Sequence, residues 1–166
     1  MVDALPVTIR PASPADFDGM WPIFRTVVGR GDAYVFAADT PREDAREYFL
    51  GAGVASFVAE IDGAIVGFYK LIANQRDRGS HVANASFMVD PTRRGKGIGR
   101  QLALHCLAEA RGRGYVAMQF NFVVASNQPA VRLWKNLGFA IVGTLPKVFR
   151  HRDLGDVDAY VMYREL

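Results

Sequence analysis

The sequence predicts a single α/β domain over residues 1–166, and three observations predict it. Strand-like apolar runs alternate with amphipathic helical stretches along the chain. Two of those runs, Ser56 to Ile61 and Ala64 to Leu71, flank Asp62-Gly63, a pair suited to a tight hairpin. A third, His81 to Val89, ends in Asp90-Pro91 and passes through a loop that alternates glycine with cations into a helical pattern from Ile98.

Composition narrows the class. The 166 residues are 50% hydrophobic and 22% charged, enough apolar material for a sizeable core. The single cysteine, Cys106, excludes an intrachain disulfide framework and suits a reducing compartment. Met1 to Arg10 lacks a basic region followed by a long apolar run, and no stretch approaches the length of a membrane span. A cytoplasmic chain without a membrane partner is therefore expected. The formal net charge of +3 is densest between Arg93 and Arg100 and forms no extended stripe with interleaved aromatics, which argues against a nucleic-acid partner.

In chain order, Val7 to Arg10 is a short strand. Ser13-Pro14-Ala15-Asp16 opens a helix with a serine cap, proline at the first position and an acid in the first turn. The helix runs towards Val28, kinked or divided by Pro22, and Gly29 to Asp32 stops it. Ala33 to Ala37 is apolar and aromatic, after which Thr40-Pro41-Arg42-Glu43 predicts a capping box for a second helix ending near Gly51. The hairpin strands follow, then a polar loop from Asn74 to Ser80.

Beyond the glycine-rich loop, Ile98, Leu102, Cys106 and Ala110 form a helical stripe, with Ala103 and Leu107 beside it, that faces the sheet. Cys106 is then a small buried hydrophobe and no nucleophile, while His105 falls on a solvated face. Gly112-Arg113-Gly114 ends the helix, and Tyr115 to Val124 carries few charges, as suits a central strand. Asn127-Gln128-Pro129 caps a last helix with Ala130, Leu133, Trp134 and Leu137 at i, i+3, i+4 and i+7, closed by Gly138. Phe139 to Val142 with Thr144 to Phe149, and Asp158 to Arg164, supply the last two strands, Pro146 interrupting the former or placing it at an edge.

The loop has the make-up of an anion cradle. Glycines at 95, 97 and 99 let main chain approach a ligand, and the amides opening the next helix lack intrahelical acceptors. Arg93, Arg94, Lys96 and Arg100 add full charges. A P-loop is excluded because Lys96 is followed by Gly97, which offers no hydroxyl to magnesium, and the dinucleotide fingerprint fails on glycine spacing.

Arg94-x-x-Gly97-x-Gly99, preceded by a hydrophobic strand and Pro91, resembles the acyl-CoA pyrophosphate loop of the GNAT superfamily of N-acetyltransferases, Gln/Arg-x-x-Gly-x-Gly/Ala. About thirty residues on, Asn127-x-x-Ala130-x-x-Leu133-Trp134-x-x-x-Gly138-Phe139 is similar to the second acyl-CoA motif of the same superfamily. The predicted order β-α-α-β-β-β-α-β-α-β-β is also that of the family. The resemblance implies a GNAT-like fold, a mixed, mostly antiparallel sheet with a splayed central strand pair, flanked by helices.

The resemblance further implies acetyl-CoA as co-substrate. Its pantetheine arm would enter between the splayed strands and pair with the main chain of Phe87, Met88 and Val89. Arg94, Gly95, Lys96, Gly97, Ile98, Gly99 and Arg100 would hold the pyrophosphate, and Asn127, Ala130 and Trp134 would contact the ligand from the second motif. Tyr34 and Phe36, between the first two helices, are implied substrate contacts, with core filling as the alternative. Dimers are common in the family, so a homodimer is an option whose interface nothing here specifies.

Independently of the family, Asn84 and Ser86 share one face of their strand, and Gln119 and Asn121 one face of theirs. Small polar groups in such strands need partners, either a ligand or water in a gap, or each other and nearby main chain. Transfer to an amine needs a neutral nucleophile, donors for a developing oxyanion and a proton for the leaving thiolate. Many family members place a tyrosine after the leucine of the second motif for that proton, but here Trp134 stands there, so the role is vacant or filled elsewhere, Tyr160 and Tyr163 being conceivable. Asn84 and Asn121 are the candidate catalytic residues, orienting water or acceptor. No metal is assigned.

The implied function is transfer of an acetyl or other acyl group from acetyl-CoA to a small-molecule amine. The tail, Phe149-Arg150-His151 and Tyr160 to Tyr163, looks like that of members acting on amino acids and their analogues. A non-catalytic acyl-CoA-binding module, and an acetyltransferase of protein N-termini or lysines, are the alternatives.

Overall fold

In the computed structural model, which describes residues 7–166, the chain runs through β1 (Thr8–Pro11), α1 (Phe17–Gly29), α2 (Arg42–Leu50), β2 (Ala55–Ile61) and β3 (Ala64–Ala73). It continues through β4 (Val82–Val89), α3 (Ile98–Gly112), β5 (Ala117–Val124), α4 (Gln128–Asn136), β6 (Ala140–His151) and β7 (Gly155–Glu165). The first part of the Met1 to Arg10 stretch considered above lies outside the described residues. The strands form one seven-stranded sheet in the order β1-β2-β3-β4-β5-β7-β6. Every neighbouring pair is antiparallel except β4 and β5, which are parallel across the α3 crossover.

The hairpin between β2 and β3 is explained by its turn. Asp62 and Gly63 both take positive φ, 51° and 76°, the handedness that matches the twist of the flanking strands. Hydrophobic periodicity then sorts the helices to the two faces. Ile98, Leu102, Cys106 and Ala110 of α3 and Val131 and Trp134 of α4 bury into one core. Phe17, Met20, Phe24 and Val27 of α1, with Ala45 and Phe49 of α2, cover the opposite face.

Several local expectations are corrected. α1 is opened by a 3-10 turn, Pro14–Asp16, and runs uninterrupted through Pro22. The Thr40 capping box is absent: the cap position belongs to Pro41, and the Thr40 hydroxyl instead donates to the Ala37 carbonyl at 2.6 Å, closing the preceding turn. His105 is half-buried, because the flank of α3 meets β2 and β3. Its Nδ1 pairs with the Tyr69 hydroxyl at 2.7 Å, and its ring packs on Phe57. In α4 the fully buried positions are Val131 and Trp134, while Ala130 and Leu133 are only partly covered.

Other expectations hold. Cys106 is fully buried, and burial pushes its thiol up. β6 is an edge strand with a register shift between Leu145 and Phe149, spanning Pro146, so both effects attributed to that proline occur together. Among the described residues no helix is long and apolar enough to cross a membrane.

Candidate active site

The site begins where two strands stop pairing. β4 pairs with β3 along its length, from Ala83 with Ala73 to Val89 with Gly67, so that edge is complete. On the other side it pairs with β5 only at Val82 with Ala117 and Ala83 with Met118. From Asn84 onward the β5-facing edge of β4 has no strand partner. A cavity of about 500 Å³ opens there, walled by β4 from Asn84 to Val89, β5 from Phe120 to Val124, the loop Ala33 to Phe36, and the start of α4.

The cradle lies at one end of this cavity. Asp90 accepts from the Thr92 amide and hydroxyl at 2.9 and 2.8 Å, fixing the turn that leaves β4. Gly97 then caps α3 at φ 75°, a left-handed conformation that a side chain would strain. Arg94, Gly95, Lys96, Gly97 and Arg100 are exposed, and Arg94 and Gly99 line the cavity. Ile98 differs from its neighbours. Its side chain is 1% exposed and anchors α3 in the core, leaving only its main chain to face a ligand. A Cβ on Gly99 would lie 3.8 Å from Val89 and 3.9 Å from Leu133, ordinary contact distances.

The remaining predicted contacts fall on the same cavity. Asn127 and Ala130 line it at the α4 end, and the Asn127 side chain makes no capping bond. Trp134 is a packed wall, its ring 4.5 Å from Phe120 and 5.0 Å from Phe87. Of the β4 trio, Phe87 packs its ring into this aromatic group, Met88 is buried on the opposite face of the sheet, and Val89 is half-buried.

Tyr34 and Phe36 pack against the α1 and α2 core, as the core-filling alternative expects, and also line the cavity. The Tyr34 hydroxyl donates to the Phe87 main-chain oxygen, and burial pushes its pKa well above the ordinary tyrosine value, making it a weaker acid. Tyr160 and Tyr163 stand on β7 and are not among the described residues that line the cavity.

The amides have taken partners within the protein. Asn84 Nδ2 donates to the Gln119 main-chain oxygen at 2.9 Å, Gln119 Nε2 to Asn121 Oδ1 at 2.8 Å, and Asn121 Nδ2 to Asn74 Oδ1 at 2.7 Å. Asn84 and Asn121 nevertheless also line the cavity.

Sequence reasoning singled out Ser86 but missed the two residues grouped with it, Tyr48 and Lys70. The Tyr48 hydroxyl and Ser86 Oγ are 2.9 Å apart in the cavity wall. Behind them Lys70 is buried at 6% exposure, its Nζ 3.2 Å from the centre of the Tyr48 ring. Burial pulls its amine down to about 8. The available signal was a lone cation inside the apolar run from Ala64 to Leu71. No Asp or Glu is among the described residues lining the cavity, and Arg94 is the charged one.

A parallel strand pair that parts beside a cationic, glycine-rich helix start is the arrangement the GNAT resemblance implied. The chain belongs to the acetyltransferase (GNAT) family, which it matches over residues 20–139. It is 34% identical over 112 residues to the L-amino acid N-acetyltransferase AaaT of Escherichia coli (strain K12), covering 68% of each protein. It is 37% identical over 99 residues to the N-acetyltransferase aca1 of Schizosaccharomyces pombe. That match covers 59% of this chain and 47% of the relative, about half of its length. The solved structure of a GCN5-related N-acetyltransferase from Kribbella flavida superposes with a TM-score of 0.91 at 38% identity, covering 96% of this chain and 98% of that one. The structure of yncA from Salmonella typhimurium with its cofactor acetyl-CoA gives 0.81 at 25% identity, covering 97% and 94%.

Proposed function

We propose that this chain transfers the acetyl group of acetyl-CoA to the amine of a small molecule, a free amino acid or close analogue, by direct attack of the amine. One observation carries the proposal: the edge of β4 from Asn84 to Val89, left without a strand partner along a cavity that leads to the cradle. Main-chain groups away from solvent need partners, and the amides of a pantetheine arm supply them. Acetyl-CoA brings an activated thioester carbonyl to this place.

The residues present fit that ligand. Free amides at the start of α3, with Arg94, Lys96 and Arg100 around them, suit a pyrophosphate, Gly95, Gly97 and Gly99 leaving it room and Ile98 contributing main chain only. The main chain of Phe87, Met88 and Val89 lies along the arm. The Phe87 oxygen already accepts from Tyr34, but a carbonyl has a second lone pair to offer. Asn127, Ala130 and Trp134 close the other side.

Neutrality of the amine follows from surroundings instead of a base. With no carboxylate on the wall to stabilise it and the Lys70 cation behind, the ammonium form is disfavoured. Asn84 and Asn121 present amides that orient the acceptor or a water, and Tyr34 and Phe36 shape the acceptor end. A polycationic acceptor would find no counterion here, whereas an amino acid brings its own negative charge. The likeness to an L-amino acid N-acetyltransferase points the same way.

Free thiol released from acetyl-CoA tests this on a panel of free amino acids, polyamines and a peptide with an open N-terminus. Release accelerated by amino acids is expected. Acceleration by the peptide alone, or by no amine while acetyl-CoA binds, contradicts the proposal.

A further inference from the structure

Among the described residues, Lys70 is the buried one with a charged side chain. It stands on β3 between Ser56 of β2 and Ser86 of β4. None of the groups around it offers an anion. The Ser56 hydroxyl donates to the Phe49 carbonyl, Tyr48 and Ser86 bond each other, and the Tyr48 ring covers Nζ at 3.2 Å. No ion pair among the described residues includes Lys70.

A cation held away from water without a counterion is costly, and such groups are normally paired or bound to a ligand. The two side chains against Lys70 locate its missing partner, because Tyr48 and Ser86 both form cavity wall. The positive charge therefore sits one side chain behind the acceptor end, and the Tyr48–Ser86 hydroxyl pair, one member donating to the other, keeps one O–H free to donate to an anion. No carboxylate of the described wall competes for it.

We propose that Lys70 is a specificity-determining residue, favouring acceptors whose amine lies beside an anionic group, such as the carboxylate of a free amino acid or the phosphinate of an analogue. This rests on the acetyltransferase function proposed above. The free hydroxyl proton of the Tyr48–Ser86 pair meets the anion directly, and Lys70 supplies the charge behind it. The same charge repels acceptors with a second cation.

The test compares free L-amino acids with their α-amides, which keep the amine and side chain but lack the negative charge, in thiol-release assays of the whole chain. The wild type should favour the acid over its amide by about tenfold or more in kcat/KM, the size of one well-placed charge contact. Lys70→Met should bring that ratio towards one through KM for the acid, and Lys70→Arg should retain it. Acetyl-CoA affinity, read by calorimetry, should stay within about twofold in both, which separates lost recognition from a disturbed fold. If Lys70→Met lowers acid and amide equally, or the wild type shows no preference, the proposal fails while the acetyltransferase function stands. If no amine in either series accelerates thiol release, both fail.

Discussion

Asn84 Nδ2 reaches 2.9 Å to the main-chain oxygen of Gln119, one step beyond the last residues through which β4 and β5 pair. The side chain stands in for the next rung of the ladder and fixes the point at which the two strands part. Asn84→Ala removes that strut. It should cost about 0.5–1.5 kcal/mol, the net worth of one such bond, or roughly 1–6 °C in thermal midpoint for a chain of this size. Amine-dependent thiol release should fall further than acetyl-CoA affinity, because the acceptor end loses its fixed geometry. Unchanged turnover in a destabilised variant would leave Asn84 a strut and nothing more.

Two neighbouring glycines in the cradle should behave differently. Gly97 is at φ 75°, so Gly97→Ala should cost about 1–2 kcal/mol in backbone strain and weaken acetyl-CoA binding as α3 loses its capping geometry. Gly99→Ala meets only ordinary contacts at 3.8 and 3.9 Å, so stability should hold within about 0.5 kcal/mol. Thermal unfolding and calorimetric titration of both variants check this. Equal effects would mean that shared loop flexibility matters, and not conformation at one residue.

Arg94→Ala should lower acetyl-CoA affinity by about tenfold or more, as expected for loss of a charge-assisted bond to phosphate. The defect should shrink as salt is raised, since Arg94 is exposed and its field is screened. A salt-independent loss would place the effect in packing.

Trp134 separates wall from acid. Its ring packs against Phe120 and Phe87, so Trp134→Ala should destabilise by about 3–5 kcal/mol. Trp134→Phe should keep turnover within a few-fold, since an indole N–H gives up no useful proton. A large loss of kcat in Trp134→Phe with acetyl-CoA affinity intact would show that the indole N–H matters.

How far the sequence foretold this depended on the range of the cause. Gly97 was legible because its role is local, a left-handed residue opening a helix among cations. The α3 stripe was legible because burial repeats with helical period. The parting of β4 from β5 followed only from resemblance, since nothing in either strand's own pattern encodes where pairing stops. His105 and Lys70 were misjudged or passed over because tertiary packing decides them, the one meeting Tyr69 and the other Tyr48. Thr40 failed for a local reason, Pro41 having taken the cap position.

Lys70 also sets a pH dependence of stability. Its amine is pulled down to about 8 from 10.5, so between those values the unfolded chain holds a proton that the folded one has lost. Stability from this group therefore rises with pH through that window, and the cost of its buried charge is full below it. Lys70→Met should gain thermal midpoint relative to wild type at pH 7, the gain shrinking by pH 9. Asp16 acts in the opposite range. Hydrogen bonds from Arg10 hold its carboxyl below the ordinary 3.8, so its contribution is present above that value and lost as pH falls below it. Asp16→Asn should accordingly differ from wild type most at neutral pH and least in strong acid. A constant difference across pH would contradict either assignment.

A crystal structure of the chain with acetyl-CoA tests the central claim most directly. The pyrophosphate should lie on the amides around Gly97 with the thioester arm along Phe87 to Val89, between β4 and β5. A ligand bound elsewhere, or β4 and β5 paired through to Val89 with the cradle empty, would contradict it.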